Sequence, residues 1–217
     1  MNRSALSVLL LAGLLTGCAS SVTMQASTIP VPLVDKISIS VGLRMPSNFD
    51  HFVHTESFYG REEWSIDLGR SNAALFTQLF GHMFESVTVI GPNESVDSLD
   101  LDALIEPSID AFEFSTPTQS KTEAFAVWVR YRLKVYNREG EIVSDWPVSA
   151  YGKSQATTLG KDEALRRAAV LAMRDAAALM IMKFDKVTRI SELGENPGTE
   201  NANIQTSARE EQQDETT

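Results

Sequence analysis

Residues 123–136 read Glu-Ala-Phe-Ala-Val-Trp-Val-Arg-Tyr-Arg-Leu-Lys-Val-Tyr, and this stretch decides the fold. Phe125, Val127, Val129, Tyr131, Leu133 and Val135 occupy one phase of a two-residue repeat. Trp128, Arg130, Arg132 and Lys134 occupy the other. Alternation sustained over this length predicts a long strand with one buried face. Asn137-Arg138-Glu139-Gly140 follows as a turn, with glycine where a positive φ is needed. Ile142 to Gln155 then returns as the partner strand of a hairpin.

Working outward, Lys36 to Met45 shows the same period: Ile37, Ile39, Val41, Leu43 and Met45 share one face. Pro46 to Tyr59 reads as a loop, and Glu62 to Leu68 as a short strand ended by Gly69. From Ser71 to Ser86 the period lengthens. Phe76, Leu79, Phe80, Met83, Phe84 and Val87 follow the spacing of an amphipathic helix, with Ser71 as its N-cap. Val87 to Ile90 fits a short strand. Leu101 to Phe114 fits another, with Pro107 marking an edge or a bulge because proline lacks a ladder donor. Lys161 to Lys186 is the longest helix. Leu165, Ala168, Ala169, Ala172, Ala176, Leu179 and Met180 form its apolar stripe, and the alanines permit close approach to a sheet. The expected fold is α+β: a two-layer sandwich, mainly antiparallel sheet with two amphipathic helices on one face.

The two ends of the chain differ from this middle. Met1 to Cys18 carries one positive charge (Arg3), an apolar run from Ala5 to Leu15, and then Leu15-Thr16-Gly17-Cys18. The run is about half the ~20 residues a spanning helix needs, so it reads as the core of an export signal. The tetrapeptide resembles a bacterial lipobox. That resemblance implies cleavage before Cys18 and acylation of its sulfur, as in a lipoprotein carrying three chains. One chain binds reversibly; two or more hold firmly. Ala19 stands where, by the same resemblance, an aspartate retains enteric lipoproteins at the inner membrane. The expected location is therefore the outer membrane, facing the periplasm. Residues 19–33, ending Ile29-Pro30-Val31-Pro32, read as an extended spacer. Beyond Ile190 the composition predicts a disordered acidic tail. The expected organisation is thus a signal peptide (1–17), lipidated Cys18 and linker (18–34), one α+β domain (35–190) and the tail (191–217).

Composition bounds the function. The chain of 217 residues has a formal charge of −10, 43% hydrophobic content and a single cysteine. Residues 191–217 hold seven acids and one base. Such a balance argues against nucleic acid, whose affinity rests on phosphate neutralisation. It also argues against electrostatic adhesion to anionic lipid, leaving the acyl anchor to hold the membrane. Acylation of Cys18 leaves no thiol for a disulfide, so the core alone must hold the fold.

Few residues suggest chemistry. His51-x-x-His54, with Asp50 and Glu56, lies in a loop without helical spacing or an evident third ligand, so no metal is expected. No Gly-x-Ser-x-Gly elbow or glycine-rich phosphate loop occurs, and neither a cofactor nor an enzymatic activity is expected. The row Trp128, Arg130, Arg132 and Lys134 is the candidate partner- or anion-binding face, since arginine recognises carboxylate and phosphate bidentately. The alternative for that row is a wet face of cross-strand charge pairs. Trp64, Trp146 and Tyr151 read as core or strand-packing aromatics.

The element order from Lys36 to Lys186 is similar to that of small outer-membrane lipoproteins: the lipopolysaccharide-assembly lipoprotein, penicillin-binding-protein activators and auxiliary lipoproteins of ABC-type lipid transporters. The resemblance implies a non-catalytic accessory factor that binds an envelope protein partner through the open sheet face or by strand addition at an edge. The alternative is a lipid- or glycolipid-binding module with an apolar cleft lined by Phe76, Phe80, Phe84 and Met180.

Overall fold

The computed structural model describes residues 18–24, 34–58, 62–96, 98–155 and 160–188. The expected export signal, residues 25–33 of the expected spacer and the expected acidic tail lie outside these. The chain divides into two compact units, Met1–Met180 and Ile181–Thr217.

The elements run β1 (Cys18–Thr23), β2 (Ile37–Arg44), α1 (Ser47–Asp50), β3 (Val53–Phe58), β4 (Glu62–Asp67), α2 (Gly69–Met83), β5 (Phe84–Ile90), β6 (Ala103–Ser115), α3 (Pro117–Ser120), β7 (Ala124–Tyr136), β8 (Ile142–Gln155) and α4 (Lys161–Thr188). They form an α+β sandwich. A five-stranded sheet has the order β5-β2-β6-β7-β8, and a three-stranded sheet the order β1-β4-β3. Antiparallel pairing dominates through β3–β4, β6–β7 and β7–β8. Parallel pairing joins β1 to β4 and β2 to both β5 and β6.

The second sheet is the main departure from the sequence reading. Two of its strands were expected as irregular chain: β1 within the spacer, β3 within the loop. Their apolar content is thin. Val22, opposite Ile66, and Met24 are buried, but serine and threonine around them conceal the alternation. In β3 only Phe58 is buried, and His54 is half-buried. Pairing with β4, whose Trp64 and Ile66 are buried, gives both strands a partner that local sequence does not reveal.

Helix α2 starts and stops earlier than its apolar spacing suggests. Ser71 is not the cap; it is buried inside the helix. Instead the Asp67 carboxylate accepts from the Gly69 N–H at 3.1 Å, serving the helix start from one residue before Leu68. Phe84 and the residues after it leave the helix and enter β5, because parallel pairing with β2 satisfies their backbone groups.

Pro107 lies within a strand flanked by others in the sheet order, yet it is tolerated for a local reason. β2 pairs with β6 only from Ala103 to Ile105, so beyond that point the ladder runs on one side, to β7. A bulge follows, where the register shifts between Ile109 and Ala111. The extra residue, Asp110, reverses the phase of the strand. Ile105 and Pro107 before it, and Phe112 and Phe114 after it, are therefore all buried on the same face.

That inner face of the large sheet carries the core. Tyr131 is fully buried, and its hydroxyl donates to Asn72 Oδ1 of α2 at 2.8 Å. Its ring meets Phe49 and Phe76 at 6.2 and 5.3 Å. Phe114 meets Phe58 of β3 and Trp64 of β4 at 5.2 and 6.2 Å, which stacks the small sheet against the large one. Helix α4 lies close on β8 at Gly152. A Cβ there would fall 2.0 Å from the Ala168 carbonyl oxygen and 2.4 Å from the Ala172 nitrogen. The expected alanine stripe works as a contact surface only because glycine faces it.

Candidate functional site

The outer face of β6, β7 and β8 is built by the same alternation that builds the core. Residues directly opposite across an antiparallel pair share a face. Trp128 stands between Glu113 and Tyr151, Arg130 between Ala111 and Ser149, Arg132 between Ser108 and Pro147, and Lys134 between Glu106 and Asp145. All four residues of the expected row are thus brought together on one face, opposite the one occupied by Val127, Val129, Tyr131 and Leu133.

The two arginines of the row are met by carboxylates. Arg132 donates through Nε to Asp110 at 2.9 Å and through Nη1 to Asp145 at 2.8 Å. These two bonds, first to Asp110 and then to Asp145, raise the guanidinium pKa further above its ordinary value. Arg130 Nε lies 3.8 Å from the same Asp110 carboxylate. Further along, Arg44 pairs with Glu106 at 2.8 Å, and Glu106 also accepts from the Tyr136 hydroxyl at 2.9 Å. Burial first, and the Glu106 hydrogen bond second, raise the Tyr136 pKa. The bulge at Asp110 supplies the carboxylate shared by two arginines. Opposed charges of this kind leave little net field for a free polyanion.

At one end of the row the chemistry changes. Trp128 and Tyr151 remain 44% and 43% exposed, and their rings approach to 5.1 Å. Tyr151, read from sequence as a core or strand-packing aromatic, packs across the strand pair on Trp128, at the surface and not in the core. The signal that finds it is the hairpin register: counting back from the turn at Gly140, whose φ is 79°, places 151 opposite 128 once the shift at Tyr136 is included. Trp64 and Trp146 are buried as expected. An exposed Trp–Tyr pair beside Arg130 gathers the three residue types most enriched at energetic centres of protein interfaces.

The other candidates are separated by the fold. His51 follows α1 and pairs with Asp50, its side chain largely exposed. His54 lies in β3, 3.2 Å from Glu56, with its ring 5.1 Å from Phe112 and 5.9 Å from Phe114. Among the described residues no group of three or more histidine, cysteine or acidic side chains is arranged to hold a metal ion. Phe76, Phe80 and Phe84 make successive ring contacts at 5.6 and 5.7 Å and, like Met180, are buried. They fill the core, and the apolar cleft of the alternative reading is occupied by its own walls. Cys18 is the first residue of β1. No described helix is long and apolar enough to cross a membrane.

The two edges of the large sheet also differ. At β8 the Tyr151 N–H donates to the Asp175 carboxylate of α4 at 3.0 Å, which occupies an edge donor. At the opposite edge, β5 pairs with β2 alone among the described strands.

No protein-family model matches the chain, and no curated protein sequence matches it. Solved structures similar to it include a protein assigned as a lipoprotein from Caulobacter crescentus CB15, at 11% identity and a TM-score of 0.36, covering 57% of this chain and 82% of that one. Another is a protein assigned as a homologue of neuraminyllactose-binding hemagglutinin from Helicobacter pylori, at 12% identity and a TM-score of 0.41, covering 79% and 99%. A third is the hypothetical protein CT253 from Chlamydia trachomatis, at 9% identity and a TM-score of 0.34, covering 66% and 96%.

Proposed function

We propose that this protein is a non-catalytic lipoprotein of the bacterial envelope, acylated at Cys18 and facing the periplasm from the outer membrane. Its role is to bind a protein partner of an assembly or transport machine through the outer face of β6, β7 and β8. The observation that carries this reading is the Trp128–Tyr151 pair. Two large aromatics held in contact at the surface, beside Arg130, are costly to leave wet and suit a desolvated protein contact. The charge ladder next to them supports a protein surface rather than a phosphate polymer as the partner: matched charges fix register and orientation more than they add affinity. The lipobox supports the anchor.

The test is crosslinking in intact cells. A photoreactive residue at Ser149, opposite Arg130, is expected to trap a defined envelope protein. Trp128→Ala is expected to lower that yield by about 30-fold, the effect of losing a contact worth about 2 kcal/mol. An adduct insensitive to Trp128→Ala, or none at all, counts against the face as the partner surface. Metabolic labelling with an alkyne fatty acid tests the anchor separately, and Cys18→Ala is expected to abolish the label.

A further inference from the structure

A cationic groove of about 570 Å³ lies between the end of β8 and the flank of α4. Lys153, Arg166, Arg167 and Arg174 line it, against one carboxylate, Glu163. Arg166 and Arg167 both reach that carboxylate, the latter at 3.5 Å. Two guanidiniums therefore share one negative charge, in a lining of four basic residues and one acidic residue, on a chain whose formal charge is −10. Leu171, 44% exposed, adds an apolar element to the wall.

The position of this groove is set by the register of both sheets. Ser20 of β1 is opposite Trp64 of β4. The Trp64 ring is 5.8 Å from that of Phe125, and Phe125 is opposite Ser154, which lines the groove. A second chain of contacts agrees. Cys18 is opposite Glu62, Glu62 is opposite Phe58, and Phe58 meets Phe114 near the C-terminal end of β6. The amino end of β1 and the groove thus sit at the same end of the large sheet, where β6 ends, β7 begins and β8 ends. Because β1 begins at Cys18, no spacer separates an acyl group on that residue from the folded body.

We infer that the groove binds the phosphate-bearing headgroups of anionic phospholipid in the leaflet that holds the anchor. This rests on the acylation proposed above. Acylation brings one end of the body against the headgroups, and the clustered cations are at that end. Guanidiniums recognise phosphate oxygens through paired donors, and each cation near an anionic surface strengthens association several-fold. The overall acidity keeps the rest of the surface away from the same headgroups. Anchor and groove together hold the body in one orientation on the membrane, with a two-point attachment.

The experiment uses the full chain, processed by a bacterial host, purified in detergent and reconstituted into vesicles. One set is phosphatidylcholine alone and the other contains phosphatidylglycerol as well. Amide hydrogen exchange over residues 153–155 and 163–174 is expected to slow roughly fivefold or more with phosphatidylglycerol, the factor that about one cation at an anionic surface supplies. Arg167→Glu combined with Arg174→Glu is expected to remove that difference while exchange in β7 stays unchanged. Equal exchange in the two vesicle types, or a difference that survives the double substitution, overturns the inference. The same slowing with inorganic phosphate in detergent assigns the groove to free phosphate and also overturns it. Intact mass of the purified chain reads the acyl group independently. A chain without acyl mass removes the anchor, whereas an acylated chain blind to headgroup charge removes only the groove.

Discussion

The two faces of β7 are made from the same thirteen residues, and they follow opposite rules. On the inner face every side chain from Phe125 to Val135 is buried, and the single polar atom among them, the Tyr131 hydroxyl, donates to Asn72 Oδ1. On the outer face from Trp128 onward the groups are charged or amphipathic and partly wet, and Arg132 is met by two partners at once, Asp110 and Asp145. A buried group left without its partner loses the whole desolvation cost, whereas a wet group recovers it from water. The inner face should therefore respond to small changes with large losses of stability. The outer face should absorb large changes with small losses, which leaves it free to serve binding.

The largest effect should come where helix and sheet backbones meet. Gly152→Val places atoms where the Ala168 carbonyl and Ala172 nitrogen already lie. A loss of about 3 kcal/mol or more, or failure to fold, is expected in urea unfolding. A variant of native stability would mean that α4 does not rest on β8 at this point. Next is Tyr131→Phe, which leaves Asn72 Oδ1 buried without its donor. A loss of about 1–3 kcal/mol is expected. No loss would show that this inner-face polar contact is as dispensable as an outer one.

A smaller, pH-dependent effect is expected at Asp102. Its carboxyl is held below the ordinary carboxylate range, first by the Arg138 hydrogen bond and then by the Ser40 N–H, at 2.7 Å. A folded-state pKa below the unfolded value adds stability above the unfolded pKa. That contribution disappears as pH falls from about 4 through the lowered value. Asp102→Asn should therefore reduce stability at neutral pH and flatten the acid limb of the urea midpoint against pH. An unchanged acid limb would assign the loss to other carboxylates. The smallest effect on stability should be that of Trp128→Ala, within about 0.5 kcal/mol, as for a surface site. A markedly larger loss would make the Trp128–Tyr151 pair a structural element and weaken its reading as a contact surface.

How much of this was legible depended on how much apolar signal each segment carried. β7, its turn and β8 were readable almost residue by residue, because thirteen alternating positions leave no other period. Ala168, Ala172 and Ala176 correctly marked the sheet-facing side of α4. The bulge in β6 was also written in the chain, as the change of phase from Ile105, Pro107 and Ile109 to Phe112 and Phe114, but it is recognisable only once both sets must face one core. β1 and β3 were hidden. Among the side chains described, Val22 in β1 and Phe58 in β3 are the buried ones, too few for a periodic signal, and each segment is a strand because β4 lies beside it.

The site divides the same way. The sequence placed Trp128, Arg130, Arg132 and Lys134 on one face, opposite the core, since alternation fixes which side chains travel together. It did not determine what those side chains meet. Tyr151 and Asp145 come from the next strand, Asp110 from a bulge, and the groove's cations from a strand end and a helix flank. By itself the chain determined the long strands, the main helix and the sign of the total charge, and it carries the tetrapeptide Leu15-Thr16-Gly17-Cys18 on which the proposed anchor rests, all properties of consecutive residues. Only the tertiary structure decided the second sheet, the pairing of outer-face charges and the gathering of cations at the Cys18 end. These arise from contacts between residues far apart in sequence, whose partners no local pattern encodes.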